Sequence, residues 1–354
     1  MATTHVYVSN AEDGEIGTYR MAADGTLTPG ARVLAGKQVM PMAVSPDRRF
    51  LYAVSRAEPY RVHAFAIDPA TGALAPLGAS PLEDTLAYIS LDQTGKHLFG
   101  ASYAGHQVTV HAIGADGRVA APARQIIPIG RNAHSIRADR SNRYVFAASL
   151  GHDSMFQFAF DAASGFLVSN TPSVATLPPG TGPRHFITQP DNRFVYALSE
   201  LKGTVTSFAL DQKTGHLTEI SSVSILPPGS TLRPGAPRGP DAPPRNTEND
   251  IWCADIHLTP DGTLLFASER TTSILFALRV DPATGTLTYL GSAPTERQPR
   301  GFAIDPSGRF IVASGEKSQT LSVHAIDRAT GGLRLVGKYP GGKGANWVEI
   351  VALG

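Results

Sequence analysis

The chain lacks the features that mark secreted and membrane proteins. It has one cysteine, Cys253, among 354 residues, so no disulfide can form within it and nothing indicates an oxidising compartment. No apolar run approaches the roughly 18 residues of a membrane-spanning helix, so we expect no membrane partner. The first residues, MATTH, lead into a predicted strand without a basic and then apolar leader. Together these absences predict a cytoplasmic protein.

A dominant charge of either sign is also missing. The 31 basic and 30 acidic side chains give a formal net charge of +1. So small a charge creates no overall field to attract a nucleic acid or an anionic membrane, and we expect neither as a partner. Any anion that binds must be held by local geometry. The sequence contains no glycine-rich phosphate loop, nucleophile elbow or zincin motif, so no cofactor is predicted.

The chain instead repeats one phrase, in which a polar turn is followed by a short apolar strand and then by small residues. Successive copies begin about 46 to 50 residues apart, except for one gap of 70. The copies are SPDRRFLYAVS from Ser45, DQTGKHLFGAS from Asp92, DRSNRYVFAAS from Asp139, QPDNRFVYALS from Gln189, TPDGTLLFASE from Thr259 and DPSGRFIVASG from Asp305. A seventh, partial copy is HVYVS at residues 5–9. Seven such units predict an all-β fold, a seven-bladed β-propeller.

Each unit is predicted to contain four strands. In the unit that starts at Gln298, alternating apolar residues and turn signals predict strands at 300–305, 309–314, 321–327 and 332–338. A unit of this length is too short to bury a core alone and must pack on its neighbours. Residues 1–354 are therefore predicted to form one domain.

The two ends of the chain complement each other. The chain begins at a second strand, and an extra first strand is predicted at residues 346–352. Pairing of these two strands would remove the exposed sheet edge that an open ring presents. We therefore expect blade one to be built from both ends.

The one overlong gap is a proline-rich insertion at residues 226–250. Its composition predicts a loop with little regular structure. Surface loops accept extra length cheaply, so a neutral insertion is one interpretation. Because the insertion precedes a predicted first strand, it reaches the face that carries the charged residues described next. A lid over a site is therefore the competing interpretation.

Charged residues replace apolar ones where the innermost strands begin. Alignment of the units places at that position Met40, Ala87, His134, Arg184, Ala254, Arg300 and Asn346. The second strands run back to the same face and end at Arg56, Tyr103, Leu150, Glu200, Arg270 and Glu316. In a propeller the first strands line the central channel. We therefore predict that one channel mouth is ringed by six side chains, namely His134, Arg184, Glu200, Arg270, Arg300 and Glu316.

The excess of cations at this mouth favours a binding site. Four cations or potential cations face two carboxylates, which leaves positive potential in a concave mouth and predicts an anionic ligand. Salt bridges between blades are the structural alternative. His185, Asp255 and His257 belong near the same rim, and strand alternation sends the last two to one side. A metal would need further ligands at suitable spacing, so hydrogen bonding between inner strands is predicted instead.

The segments around these residues form a recognisable series. They are NAHSI at 132–136, GPRH at 182–185, SEL at 199–201, WCADIHLTPDG at 252–262, ERT at 269–271 and QPRGF at 298–302. This series resembles the seven-bladed propeller lactonase family, which includes bacterial propeller-type 6-phosphogluconolactonases and fungal carboxymuconate cycloisomerases. The resemblance runs from Val6 to Val351 and implies a hydrolase of carbohydrate metabolism. Its catalytic set falls on His134, Arg184, Glu200 and Arg270. Substrate binding is assigned to His185, Trp252, Asp255, His257, Arg300 and Glu316.

Hydrolysis of a sugar lactone needs an activated water, a stabilised oxyanion and a proton for the leaving ring oxygen. His134 titrates near neutrality and is the preferred general base. Arg184 and Arg270 offer forked donors for the oxyanion and for anionic groups of the substrate. Glu200 either orients one of these groups or acts as the acid. The sequence does not distinguish His134 from Glu200 as the base.

Three functions stay open. The leading one is a cytoplasmic lactonase that acts on the small-molecule lactone 6-phosphogluconolactone or a related aldonolactone. The second is a cycloisomerase-type enzyme of dicarboxylate lactones, whose substrate needs two carboxylates held by arginines. The third is a non-catalytic scaffold, which would present an apolar rim, whereas this rim is predicted to be charged. No pattern encodes the oligomeric state, the ring size or a phosphate on the substrate.

Overall fold

Seven four-stranded antiparallel sheets are present in the computed structural model, which describes residues 3–239 and 244–354. The prediction of an all-β, seven-bladed propeller is confirmed. A short 3-10 helix occupies Leu150–His152. In the described ranges there is no helix long and apolar enough to cross a membrane. Residues 240–243, which belong to the predicted lid loop, lie outside the described residues.

The strands follow one another in chain order around the ring. Blades one to four contain β1 (Thr3–Asn10), β2 (Glu15–Met21), β3 (Leu27–Leu34), β4 (Val39–Val44), β5 (Phe50–Ser55), β6 (Arg61–Ile67), β7 (Leu74–Pro81), β8 (Tyr88–Leu91), β9 (His97–Ser102), β10 (Gln107–Ala112), β11 (Gln125–Pro128), β12 (Ala133–Ala138), β13 (Tyr144–Ser149), β14 (Ser154–Asp161) and β15 (Phe166–Thr176). Blades five to seven contain β16 (Pro183–Thr188), β17 (Phe194–Ser199), β18 (Thr204–Leu210), β19 (Leu217–Ser224), β20 (Cys253–Leu258), β21 (Leu264–Glu269), β22 (Ile274–Val280), β23 (Leu287–Pro294), β24 (Phe302–Ile304), β25 (Phe310–Ala313), β26 (Thr320–Ile326) and β27 (Leu333–Pro340). The last strand is β28 (Ala345–Leu353).

The repeated polar turn is held by an aspartate that bonds the backbone. Oδ1 of Asp305 accepts a hydrogen bond of 2.7 Å from the backbone N–H of Phe310. Gly308 in this turn has φ +69°, a conformation that glycine adopts without steric cost. Asp92 and Asp139 accept equivalent bonds at their own turns. The phrase therefore recurs because each hairpin between a first and a second strand needs the same turn.

Burial falls from the channel to the outer surface within each blade. In blade five, every residue of β16 and β17 is buried, whereas the outermost strand, β19, is largely exposed. Apolar side chains fill the spaces between neighbouring blades, as where Phe266 of blade six packs with Phe302 and Ile311 of blade seven. The blades therefore share their cores, as expected of units too short to fold alone.

Blade one closes the ring with strands from both ends of the chain. Its strand order is β28-β1-β2-β3, and β28 pairs with β1 in antiparallel register, with Val348 opposite Val8. The prediction of a closing inner strand is confirmed. The hydroxyl of Tyr7 donates a 2.8 Å hydrogen bond to the Gly72 carbonyl of blade two. The closing blade is thus tied to its neighbour as well as to its own inner strand.

The described parts of the insertion form a loop. It connects β19 to β20, and its one ladder contact is an isolated bridge between Arg233 and Asp250. The buried Asp250 carboxylate accepts hydrogen bonds from Arg233 (3.1 Å) and Arg245 (2.6 Å). The loop is therefore anchored at its base by one carboxylate and two arginines of its own sequence.

Candidate active site at the channel mouth

Irregular backbone at the start of the inner strands aims side chains into the channel. Two positions before the mouth residue, the backbone is left-handed, with φ between 52° and 66°, at Gln38, Asn132, Gly182, Gln298 and Gly344. Pairing with the second strand then shifts register in β4, β12, β16 and β20. Such bulges redirect side chains and are frequent beside active sites. His134, Arg184 and Asp255 all lie at these shifts.

Arg184, Glu200 and Arg270 form a nearly solvent-free cluster. Arg184 Nε donates to Glu200 Oε2 at 2.7 Å, and Arg270 Nη2 donates to the same oxygen at 3.1 Å. The three side chains are 1%, 5% and 2% exposed. Burial lowers the pKa of Arg270 to about 9, so it remains a cation at neutral pH. Oε1 of Glu200 accepts no hydrogen bond from the described residues and is left for a ligand.

His134 is a buried, neutral imidazole beside this cluster. Its ring meets those of Tyr103 and His185 edge-on, with centroids 5.6 and 5.3 Å away. Burial, then the charge of Arg184, holds the pKa of His134 well below its ordinary value. Its Nδ1 is buried without a partner among residues 3–239 and 244–354, which costs about 1 to 3 kcal/mol. A ligand or water at this nitrogen would relieve that cost.

A chain of hydrogen bonds fixes Arg184 from behind. Arg184 Nη1 donates to His185 Nε2 at 3.0 Å, and His185 Nδ1 donates to Asp255 Oδ1 at 2.8 Å. Because a guanidinium only donates, Nε2 must accept and the proton must sit on Nδ1. Burial, then Arg184, lowers the pKa of His185 to about 3, in agreement with this neutral tautomer. Arg184 also donates to the Ala254 carbonyl. The arrangement orients the guanidinium toward the mouth.

Arg300 and Glu316 lie on the more open side of the mouth. Their side chains are 18% and 22% exposed, and Arg300 Nη1 donates to Glu316 Oε1 at 3.3 Å. Arg300 Nε is buried and has no partner in the described part of the chain. This pair is therefore more accessible to solutes than the Arg184–Glu200–Arg270 cluster.

Trp252 is held between two guanidinium groups. Cζ of Arg270 and Cζ of Arg238 each lie 3.7 Å from the centre of its indole ring. Non-bonded carbon atoms approach to about 3.5 Å, so both atoms stand almost directly over the ring. On one face they would overlap, and they must therefore occupy opposite faces. Arg270 is thus packed against Trp252, and Trp252 is covered in turn by the insertion.

The insertion also reaches the other side of the mouth. Gly239, at the end of the first described part of the insertion, packs beside the Tyr103 ring. Tyr103 belongs to blade three, whereas the loop begins and ends at blades five and six. The described part of the loop therefore extends across the mouth to Tyr103, whose aromatic ring contacts His134.

His257 does not join the mouth residues. Its Nε2 contacts Asp255 Oδ2 at 3.1 Å, and its ring packs on Phe302 at 4.8 Å. It lines a cavity of about 490 Å³ nearer the other end of the channel, here named the far cavity. Other lining residues are Tyr88, Arg137, Trp347 and Glu349. Although burial opposes it, contact with His257 and His185 keeps the pKa of Asp255 below its ordinary value.

An aromatic layer separates the far cavity from the mouth. The rings of Tyr88, His185 and Trp347 contact one another with centroids 4.8 to 5.7 Å apart. His185 belongs to this layer. Together with Asp255 it holds Arg184 by hydrogen bonds on the side away from the mouth. Of the residues assigned from the sequence, the structure places His134, Arg184, Glu200, Arg270, Arg300, Glu316 and Trp252 at the mouth.

Three further residues contribute to the mouth. Arg56 and Tyr103 end second strands, and the repeat alignment contains them at the same position as Glu200, so it could have identified them. Arg238 lies in the insertion, whose proline-rich composition did not indicate a role for this residue. In the described ranges no group of three or more His, Cys, Asp or Glu is arranged to hold a metal ion.

The mouth can bind an anion and stabilise negative charge as it develops. It combines buried, preorganised arginines, a neutral imidazole and a carboxylate with one free oxygen. Preorganised donors in a water-poor site are among the strongest contributors to catalysis of acyl transfer. The geometry thus suits hydrolysis of an ester-like bond without a covalent intermediate on the protein.

Comparison with known proteins agrees with this geometry. The chain matches the family model described as lactonase, 7-bladed beta-propeller, over residues 5–350. It is 37% identical to a 6-phosphogluconolactonase of Serratia proteamaculans and 36% identical to one of Pectobacterium carotovorum, with 98% of both chains covered in each case. Among solved structures, the periplasmic gluconolactonase PpgL of Pseudomonas aeruginosa superposes with a TM-score of 0.86 at 27% identity, covering 99% of this chain and 100% of that one. The chain therefore belongs to the seven-bladed β-propeller lactonase family.

Proposed function

We propose that the channel mouth hydrolyses a sugar lactone and that 6-phosphogluconolactone is the substrate. The observation that carries the proposal is the buried His134 imidazole, whose Nδ1 has no partner in the described residues, next to the buried Arg184–Glu200–Arg270 cluster. The names of the two curated relatives support the choice of lactone. The positive potential of the mouth supports an anionic one.

In the proposed reaction, water attacks the carbonyl carbon of the lactone. His134 takes a proton from that water, and the carbonyl electrons move to the oxygen, which Arg184 and Arg270 stabilise. Collapse of this intermediate breaks the bond between the carbonyl carbon and the ring oxygen. The ring oxygen receives the proton that His134 took from the water, which returns the imidazole to its neutral form. The product is the open-chain sugar acid.

A panel of lactones tests the proposal directly. Acid release is followed with a pH indicator for 6-phosphogluconolactone and glucono-δ-lactone, with spontaneous ring opening subtracted. We expect turnover of the phosphorylated lactone well above that of the plain one. No turnover of any lactone, together with loss of diene absorbance from a carboxymuconate, would instead identify the cycloisomerase-type reaction.

We also propose that the described parts of the insertion, residues 226–239 and 244–250, cover the mouth as a lid. The support is the position of Arg238 over Trp252 and the approach of Gly239 to Tyr103. Replacing residues 236–244 with a short glycine linker, which keeps Arg233, Arg245 and Asp250 in place, tests this. A lid predicts altered substrate affinity with an unchanged melting temperature, whereas a neutral insertion predicts unchanged kinetics.

We propose a cytoplasmic location because the single cysteine leaves the fold independent of disulfides. Fractionation of the native host with an antibody against this chain tests the proposal. Recovery with periplasmic markers, as the name of the Pseudomonas aeruginosa relative suggests for that protein, would overturn it.

A further inference from the structure

The mouth has a closed half and an open half. Arg184, Glu200 and Arg270 are sealed and bonded to one another, whereas Arg300 and Glu316 keep about a fifth of their side-chain surface exposed. A substrate whose carbonyl reaches the closed half must leave its remaining atoms in the open half. The groups of the open half therefore meet the end of the substrate that does not react.

Arg56 presents unused donors to this open half. It follows β5 in blade two, at the position equivalent to Glu200 and Glu316. Its Nε donates to Thr85 Oγ1 at 3.1 Å, which fixes the side chain. Both terminal nitrogens lack a hydrogen-bond partner anywhere in residues 3–239 and 244–354. Up to four N–H groups of this guanidinium are thus held in place without an acceptor.

The charges of the open half are not balanced. Arg300 has one carboxylate partner, Glu316, which it reaches through Nη1, while its Nε stays buried and unpaired. Burial, then the charge of Arg300, lowers the pKa of Arg56 to about 10. Arg56 and Arg300 are thus two cations near one carboxylate, that of Glu316, in a poorly solvated space. Arg300 occupies the first-strand position equivalent to His134, and its charge also acts on that imidazole.

We infer that Arg56 and Arg300 form a phosphate-binding subsite that selects phosphorylated lactones over plain ones. The inference rests on the proposed function, because it places the reacting carbonyl at His134 and Arg184. In a lactone phosphorylated on its terminal carbon, the phosphate lies only a few bonds from the ring. A phosphate dianion matches two guanidinium groups in charge and offers three terminal oxygens to their forked donors. A plain lactone offers a neutral hydroxyl at that point, which leaves both cations uncompensated.

The test compares Arg56→Gln with the wild type on two substrates. We expect kcat/KM for 6-phosphogluconolactone to fall by about 10- to 100-fold, since hydrogen bonds to a charged group are lost. The value for glucono-δ-lactone should stay unchanged, because that substrate has no anion for the subsite. Arg49→Gln is the matched control. It removes an exposed arginine from a turn of the same blade, where its salt-bridge partner is Asp47 at 3.7 Å, and should alter neither value.

A second variant keeps the test decisive if Arg56→Gln does not fold. Thr85→Val removes the oxygen that fixes Arg56 Nε but retains the shape of the side chain. It should reduce kcat/KM for the phosphorylated lactone alone, and by less than Arg56→Gln does. Equal losses on both lactones, or no loss on either, would overturn the subsite.

Calorimetry separates this inference from the proposed reaction. Binding of 6-phosphogluconate and of gluconate is measured for the wild type and Arg56→Gln. Tighter binding of the phosphorylated acid that disappears in the variant would support the subsite even if the wild type hydrolyses no lactone. Equal affinity for the two acids in the wild type would overturn it even if lactonase activity is found.

Discussion

The two ends of the channel differ in whether their buried polar atoms have hydrogen-bond partners. At the mouth, His134 Nδ1 and Arg300 Nε are buried without a partner in the described residues. In the far cavity, Arg137 donates to the Tyr88 hydroxyl at 3.2 Å, and Trp347 Nε1 donates to Glu349 at 2.9 Å. The far cavity has the volume of a small-molecule site, but none of its lining residues has a buried polar atom that lacks a partner within the described ranges. Polar atoms without partners, more than cavity volume, therefore identify the candidate site.

The largest expected difference between the two ends comes from His134→Ala. If this imidazole is the base, kcat should drop by about 10² to 10⁴. The fold should persist, because Ala87 and Ala254 occupy the equivalent position in other blades. His257→Ala is the matched control in the far cavity and should leave kcat unchanged. Near-full activity of His134→Ala, combined with an inactive Glu200→Gln, would make the carboxylate the base.

Arg184→Ala should have the next largest effect. Removal of one preorganised donor to the oxyanion lowers kcat by about 10² to 10³. KM should rise as well, because the same cation attracts the anionic ground state. Arg137→Ala removes an arginine from the far cavity and should change neither constant. A rise in KM with an unaltered kcat for Arg184→Ala would restrict this residue to binding.

The pH dependence of kcat/KM sharpens the assignment of His134. Its pKa is lowered by burial and then by Arg184, His185 and Arg300, so the neutral, base-competent form persists as the pH falls. Activity should remain level through about pH 6.5, the ordinary value for histidine, and decline only in more acidic buffer. In His134→Ala this acidic limb should disappear. A decline centred at or above the ordinary value would contradict the buried imidazole.

A smaller effect is expected at the cover of the mouth. Arg238→Ala removes one of the two guanidinium groups that stack on Trp252. A cation–π contact is worth about 0.5 to 2 kcal/mol. We expect KM to rise by about 3- to 10-fold. In a Trp347→Phe background the fluorescence of Trp252 reports the change, since the chain has two tryptophans. The control is Arg334→Ala, which removes an exposed arginine from an outer strand. Equal kinetics for the two variants would contradict the proposal that Arg238 covers the mouth.

The smallest effect on activity is expected from Glu349→Gln in the far cavity. Burial raises the pKa of Glu349 from 4.5 to about 7. As the pH rises from 4.5 to about 7, the unfolded chain loses this proton first, so the wild type loses up to about 3 kcal/mol of stability. The variant should not show this loss, which urea unfolding at acidic and at alkaline pH measures. A marked fall in lactonase activity would instead bring the far cavity into the reaction.

Much of the ring could be predicted from the sequence because one turn recurs. The aspartate, serine or threonine that caps these hairpins fixes where a second strand begins, so the predicted strand at 309–314 is observed at Phe310–Ala313. The same alignment placed Arg184, Glu200 and Arg270 at one face, since the blades are equivalent by repetition. A regular repeat therefore predicts both the fold and the level of a residue along the channel.

The remaining features depend on irregular backbone and on long-range packing. Bulges at the starts of β12, β16 and β20 decide which side chains turn inward, and no residue pattern encodes them. His257 was assigned to substrate binding together with Asp255, but strand alternation does not reveal the aromatic layer between the mouth and the far cavity. The path of the insertion is likewise set by the contact of Arg238 with Trp252 and by that of Gly239 with Tyr103, which is far from the insertion in the sequence.

The pairing of β28 with β1 has a consequence for how the protein is made. Ribosomes release chain at about 5 to 20 residues per second, so β1 waits on the order of tens of seconds for the partner that completes its sheet. During that time six blades can stack in order of emergence, while the inner edge of β1 stays available to strands of other chains. A message truncated before codon 345 would yield almost the whole protein with that edge still open. Chaperone capture of such nascent chains, and its decline once β28 emerges, would follow from the position of a single strand.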